Sequence, residues 1–335
     1  MHIAILSPAA WRTPPRKYGP WEQIASNTAE GLVKKGMKVT LFASGDSITG
    51  SELEFICEKP YSENPDMDPK VWECLHISHL MEQANRFDLI HNHYDFLPLT
   101  YSRLIKPPMI TTIHGFSSTR ILPVYKKYNN SSYYVSISNS DRSPELEYIA
   151  TVYNGIRTNE FNFQPHQGKY LLFFGRIHHE KGTYESIQIA RALGMKLIIA
   201  GLIQDQHYFN EKVKPFINNE DIVYIGNVGP QERDPLLGHA CALLHPINFE
   251  EPFGLSVVEA MYCGTPVVAF KRGSMPELIC QEKTGFLVNN ADEAIEVLAD
   301  IKKLDRSFCH QWAKERFTME KMVEDYIQVY NRVLG

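Results

Sequence analysis

Short apolar runs recur along this chain, and most lead through a polar loop into a stretch with helical spacing. His2 to Leu6 is the first such run, and a long polar loop from Ser7 to Pro20 follows it. Trp21 to Lys35 then places Ile24, Thr28, Leu32 and Val33 on one helical face and stops at Gly36. Val39 to Phe42 reads as the second strand. The pattern continues with a helix over Val71–Asn85 and strands over Phe87–His91, Met109–Ile113 and Tyr133–Ser138. The last of these leads into Asn139-Ser140-Asp141, a helix-cap signal. Tyr170 restarts the series. Strands are expected over Tyr170–Phe174, Lys196–Ala200, Ile222–Ile225 and Val267–Phe270, with helices over Ser186–Leu193, Glu232–His239 and Ser256–Cys263. A long amphipathic segment closes it, Lys314 to Leu334, with Phe317, Met322, Tyr326, Val329, Tyr330 and Val333 on the apolar side.

Strand, loop, helix, strand is the opening of a Rossmann-like half, and this chain contains it twice. The expected fold class is therefore α/β, with two Rossmann-like domains. Residues 158–168 are polar, carry Pro165 and Gly168, and read as the linker. The predicted division is 1–163, then 169–315, with 316–335 as a C-terminal helix.

Composition narrows the class without changing it. The 335 residues are 44% hydrophobic and 22% charged, as in a soluble globular protein of two domains. No apolar run approaches the roughly 18 residues that span a bilayer. The first strand lacks a basic leader and breaks at Pro8, so a buried strand is expected rather than a signal peptide. Six cysteines form no C-x-x-C pair, which fits reduced core thiols and a cytoplasmic location. The formal net charge of −5 argues against a general nucleic-acid binder.

The candidate chemistry concentrates between Leu243 and Leu278. A loop, Phe249-Glu250-Glu251-Pro252-Phe253-Gly254, precedes a short helix that Gly264-Thr265-Pro266 stops. A helix start offers unpaired amides and partial positive charge to a phosphate, and Gly254 lets the ligand approach the backbone. Glu251 lies before the helix and Glu259 within it. Two carboxylates flanking an anion site suit a ligand with hydroxyls at both ends, such as a nucleotide sugar; a solvated helix face and a dipole-stabilising acid are the plain alternative. Upstream, Arg176 and Lys181 flank a glycine-containing turn after a strand, a fork and a point charge for a diphosphate. His91-Asn92-His93 and His114 stand at predicted strand ends, where α/β folds place ligands. Arg120, Lys126 and Lys127, with neighbouring aromatic rings, could shape an acceptor pocket. Asp66-Met67-Asp68 is formally a metal-type D-x-D, but it lies between Asn64-Pro65 and Pro69 rather than at a strand end.

Together, Glu251, Pro252-Phe253-Gly254-Leu255, Glu259-Ala260-Met261, Gly264-Thr265-Pro266-Val267-Val268-Ala269 and Thr284-Gly285-Phe286-Leu287-Val288 resemble the signature of family 4 retaining glycosyltransferases of the GT-B fold. The resemblance implies two Rossmann-like domains facing across a cleft. It implies an acceptor-binding N-terminal domain, a nucleotide-sugar-binding C-terminal domain and a last helix packing back toward the first. It implies that Glu251 binds the donor sugar and Glu259 the ribose, while the backbone at Phe253, Gly254 and Leu255 holds the diphosphate. Arg176 and Lys181 would neutralise the leaving diphosphate, Val228 would lie by the base, His114 would face the sugar, and His93 would lie near the cleft. Tyr18-Gly19-Pro20 stands where the family carries paired glycines, and Arg157 replaces the Asp that commonly follows Asn154-Gly155-Ile156.

The reaction expected is transfer of a hexosyl unit to a hydroxyl, with retention, without metal or other cofactor. Residues 1–165 hold 16 basic and 17 acidic side chains, and no basic amphipathic helix stands out there. A soluble sugar or polyol acceptor is therefore expected rather than a lipid. An epimerase of the same architecture, or a nucleotide-sugar-binding protein without turnover, would share these features. A nicotinamide-linked dehydrogenase would need a G-x-G-x-x-G after a strand, and there is none.

Overall fold

A computed structural model describes residues 1–116 and 118–335. The chain forms two units, one of Met1–Gly155 with Met319–Gly335 and one of Ile156–Thr318.

In the first unit the elements run β1 (His2–Leu6), α1 (Pro20–Lys34), β2 (Lys38–Phe42), β3 (Glu52–Glu54), α2 (Pro69–Met81), β4 (Leu89–Asn92), β5 (Met109–Ile113), α3 (Leu122–Tyr128), β6 (Tyr133–Ser136) and β7 (Ala150–Thr151). The strands form one parallel sheet in the order β3-β2-β1-β4-β5-β6-β7. Ile3, Ala4, Ile5 and Leu6 are sealed from solvent on both sheet faces, as an unalternating apolar run requires. The strand order reverses between β1 and β4, the place where open α/β sheets hold ligands.

The second unit contains β8 (Tyr170–Phe174), α4 (Thr183–Leu193), β9 (Leu197–Ala200), α5 (Gln206–Tyr208), β10 (Ile222–Tyr224), α6 (Pro230–Gly238), β11 (Ala240–His245), α7 (Leu255–Tyr262), β12 (Val267–Phe270), α8 (Met275–Leu278), β13 (Gly285–Val288), α9 (Ala291–Leu298) and α10 (Arg306–Arg316). Its sheet is also parallel, ordered β10-β9-β8-β11-β12-β13, with the reversal between β8 and β11. Leu171, Phe173, Ile199, Leu244 and Val268 form its core.

The final helix, α11 (Met319–Leu334), belongs to the first unit. It buries Met322, Val323, Tyr326, Val329 and Tyr330 at helical spacing, and it packs on α1.

Two expectations are corrected. The amphipathic segment over Lys314–Leu334 is two helices, α10 and α11, not one. The break falls where the Phe317 carbonyl accepts from the Ile156 amide at 2.9 Å and so leaves the helical ladder. Asn139-Ser140-Asp141 caps no helix: Asp141 donates its amide to Ser138 Oγ and the chain continues in turns. Asp68 caps α2, accepting from the Lys70 amide at 2.9 Å. All six cysteines are free thiols, four of them buried. Among the described residues no helix is long and apolar enough to cross a membrane.

Candidate active site

In the second unit the loops after β8 and β11 meet. Gly182 has φ 73° and starts α4; a Cβ there would lie 1.9 Å from the Pro246 carbonyl oxygen. Only glycine accepts that backbone conformation with that neighbour. The close approach carries Lys181, the residue before it, to Glu251: Nζ lies 2.5 Å from Oε2, and the ammonium also stands 4.6 Å from the centre of the Phe249 ring. His245, the last residue of β11, brings Nε2 to 3.4 Å from the same carboxylate oxygen. Both Glu251 and His245 are buried. Burial alone would raise the Glu251 carboxyl, but Lys181 and His245 outweigh it and hold the acid down at about 2. Glu251 is therefore a carboxylate, compensated by Lys181.

The next turn offers the anion site. Gly254, at φ 100°, is the N-cap of α7 and provides no side-chain cap. The amides of Leu255 and Ser256 have no partner among the described residues, so the helix start is open to an anion. Phe253 is buried against Phe317, and its carbonyl accepts from Ser274 Oγ, which fixes the loop.

Glu259, eight positions beyond Glu251, is also buried, and so it is not a solvated helix face. Arg233 of α6 donates to it at 2.8 Å. Burial raises the Glu259 carboxyl, and the Arg233 charge opposes that shift in part. Arg233 Nε is sealed from solvent without a partner. Arg176 turns toward the side chain of Gln204 and, among the described residues, has no acidic partner. Val228 is buried in the loop after β10. The geometry thus joins Lys181, Glu251 and the α7 start, sets Glu259 on Arg233, and leaves Arg176 uncommitted. The sequence reasoning missed His245 and Arg233. His245 is the residue at the carboxyl end of β11, a position that by itself marks a candidate; Arg233 gives no such signal.

In the first unit, Gly19 is the N-cap of α1, and Pro20 follows at the first helical position, where its missing N–H costs nothing. Tyr18 is partly buried beside it, and Arg120 is exposed. His93 and His114, predicted at separate strand ends, are in direct contact: Nδ1 and Nε2 lie 3.0 Å apart. Trp21 stacks on His114 with ring centres 5.7 Å apart. His114 is thus a third histidine beside His91 and His93, and His91 spends both nitrogens on Tyr330 and Thr112. The group of metal-ligating type among the described residues is elsewhere: His178, His179 and Asp205, with one ligand atom from each within 4.8 Å of the others.

Glu22 was not anticipated. Its carboxyl accepts from the Trp11 amide at 3.2 Å inside the β1–α1 loop, and burial pushes it up to about 8. A raised carboxyl keeps its proton in the folded state, so its contribution is complete below the unfolded value near pH 4.5 and is lost as pH rises toward 8. Stability should fall by up to about 1.4 kcal/mol per pH unit across that window from this group. Glu22→Gln should flatten the slope in urea-denaturation midpoints measured from pH 5 to 8; an unchanged slope would place the titration elsewhere.

Two family patterns match the chain. Residues 157–318 match Glycosyl transferases group 1, and residues 22–160 match Glycosyltransferase Family 4. The chain belongs to the family 4 glycosyltransferases. Glycogen synthase of Mycobacterium tuberculosis is 25% identical over 343 residues, covering 85% of this chain and 81% of that protein. Among solved structures, sucrose-phosphate synthase from Thermosynechococcus elongatus aligns with a TM-score of 0.81 at 17% identity, over 99% of both chains. Anabaena Alr3699/HepE in complex with UDP and glucose aligns with a TM-score of 0.76 at 19% identity, again over 99% of both. The fold of this glycosyltransferase is accordingly GT-B, built from the two parallel-sheet units.

Proposed function

We propose that this glycosyltransferase takes a hexosyl unit from a nucleoside-diphosphate sugar and passes it, with retention, to a hydroxyl of a small sugar or polyol. The second unit binds the donor, the first binds the acceptor, and no divalent metal takes part. The observation that carries this reading is the Lys181–Glu251 pair, its carboxylate buried, at the β8/β11 reversal beside the open start of α7. A diphosphate at that helix start competes for Lys181 and draws it from Glu251. The carboxylate so released accepts a hydrogen bond from a sugar hydroxyl. Arg176, free of any acidic partner among the described residues, is the second cation for the leaving group. Charge then meets charge where it develops as the bond from C1 to phosphate oxygen breaks. The new C1–O bond forms on the same face, and the acceptor's proton passes to the departing phosphate oxygen. The HepE complexes support uridine as the first base to try.

Titration with uridine, guanosine and adenosine diphosphates, then a product assay with the matching hexosyl donors in excess chelator, tests the reading. One base should bind at micromolar concentration, and the product should keep the donor's anomeric configuration. Conversion of the donor without acceptor would mean an epimerase. Loss on chelation with recovery on manganese or magnesium would overturn metal independence and direct the search to His178, His179 and Asp205.

A further inference from the structure

The first unit holds a chain of buried polar groups that the proposed chemistry does not use. It begins on α11. Tyr330 OH lies 2.8 Å from His91 Nδ1, and Tyr326 OH lies 2.8 Å from Thr112 Oγ1. Thr112 Oγ1 also lies 2.8 Å from His91 Nε2, so His91 is held on both sides. The ring of His93 packs 4.1 Å from that of His91, centre to centre, and its Nδ1 meets His114 Nε2 at 3.0 Å. Trp21 covers one face of His114. His114 is thereby fixed by an edge contact and a stacking contact from two different segments.

All three imidazoles are neutral at physiological pH, because burial lowers each of them, His91 and His114 to about 3. A neutral imidazole carries one N–H, so one proton lies between His93 and His114 and fixes both rings. Two arrangements are open. If His114 Nε2 donates, His93 must carry its remaining hydrogen environment at Nε2 as an N–H. That atom is sealed from solvent and has no partner, so the arrangement buries an orphan donor. If His93 Nδ1 donates, the same atom is a bare lone pair. Buried orphan N–H groups are the rarer of the two defects. The second arrangement places the hydrogen of His114 on Nδ1. That nitrogen has no protein partner among the described residues and is not among the sealed atoms.

We propose that His93 is a positioning residue that holds His114 as its Nδ1–H tautomer, so that His114 offers the reacting sugar a hydrogen-bond donor. The ligand group this selects is an oxygen acceptor, either a sugar hydroxyl oxygen or the ring oxygen. The functional half of this statement rests on the reading that His114 serves the reaction; the tautomer does not.

The two halves separate experimentally. Long-range proton–nitrogen NMR on protein labelled with nitrogen-15 histidine reads the tautomer in the free enzyme, without substrate. The wild type should show a protonated Nδ1 and a bare Nε2 for His114, assigned by loss of its signals in His114→Gln. A protonated Nε2 would overturn the proposal. For function, His93→Asn sets an amide N–H at the place of Nδ1–H, whereas His93→Leu removes the donor. The Asn variant should keep kcat within about threefold of wild type with the Nδ1–H signal intact. The Leu variant should lose at least tenfold in kcat, with the KM for donor little changed and His114 showing mixed tautomers. Equal kcat in folded Asn and Leu variants would overturn the positioning role. Full activity in His114→Gln would instead end the reading of His114 itself, while the wild-type spectrum still decides the tautomer.

Discussion

Glu251→Gln is expected to lower kcat about 10²- to 10³-fold, the usual loss for one preorganised transition-state contact, while binding sugar-free nucleoside diphosphate no more weakly than wild type. The carboxylate and Lys181 Nζ are 2.5 Å apart in a buried setting, so each now neutralises the other. A neutral glutamine frees Lys181 for phosphate and removes the anion that would accept from the sugar. A contact that tightens only as the bond to phosphate breaks acts on the barrier and not on binding. Glu259→Gln should do the reverse. Glu259 is tied to Arg233, and we propose that it holds the ribose, which is bound alike in substrate and transition state. Its loss should weaken nucleotide affinity by roughly tenfold, the scale of one charge-assisted bond, and spare kcat at saturating donor. Calorimetric titration of both variants with nucleoside diphosphate decides. If Glu251→Gln loses affinity and Glu259→Gln keeps it, the two roles are reversed.

Gly182→Ala should destabilise the protein by about 3 kcal/mol or more and weaken nucleotide binding with it. Two costs add. An alanine at φ 73° carries left-handed strain of about 1–2 kcal/mol, and its Cβ would sit 1.9 Å from the Pro246 oxygen. The oxygen is backbone, so relief requires the two loops to part, and parting them moves Lys181 from Glu251. Gly194, at the other end of α4, is the matched control. It has φ 57° and nothing within 4 Å of a built Cβ, so Gly194→Ala should show the strain without the clash. Urea denaturation of the pair measures the difference. Equal losses would mean that the loops part freely and that the close approach does not hold the cation in place.

Much of this was legible in the sequence, for reasons that differ by element. The buried parallel strands declare themselves because an unalternating run such as Ile3–Leu6 has few other places to go. The short edge strands β3 and β7 do not: Glu52–Glu54 alternates charge with one leucine, and Ala150–Thr151 has two residues. Glu251, Lys181 and Gly254 stand out as candidates because chemistry and loop position coincide. The pairing of Lys181 with Glu251, seventy positions apart in the chain, was not legible, since it depends on the loop contact at Gly182. Glu22 and Arg233 escaped for a related reason. A charged side chain reads as solvated until the fold buries it, and no local pattern announces that burial. The histidine contact was hidden similarly, because β4 and β5 had to pair in register before His93 and His114 could meet.

The membership of α11 in the first unit has a consequence for biosynthesis. Tyr326 and Tyr330 reach the ribosome exit only after Ile156–Thr318, a contiguous stretch that holds the whole second sheet. The second unit therefore has all of its strands while the first still lacks the hydroxyls that satisfy His91 and Thr112. Domains usually complete in the order they are translated. Here the part translated first must wait for its last helix to be made before His91 and Thr112 gain these partners.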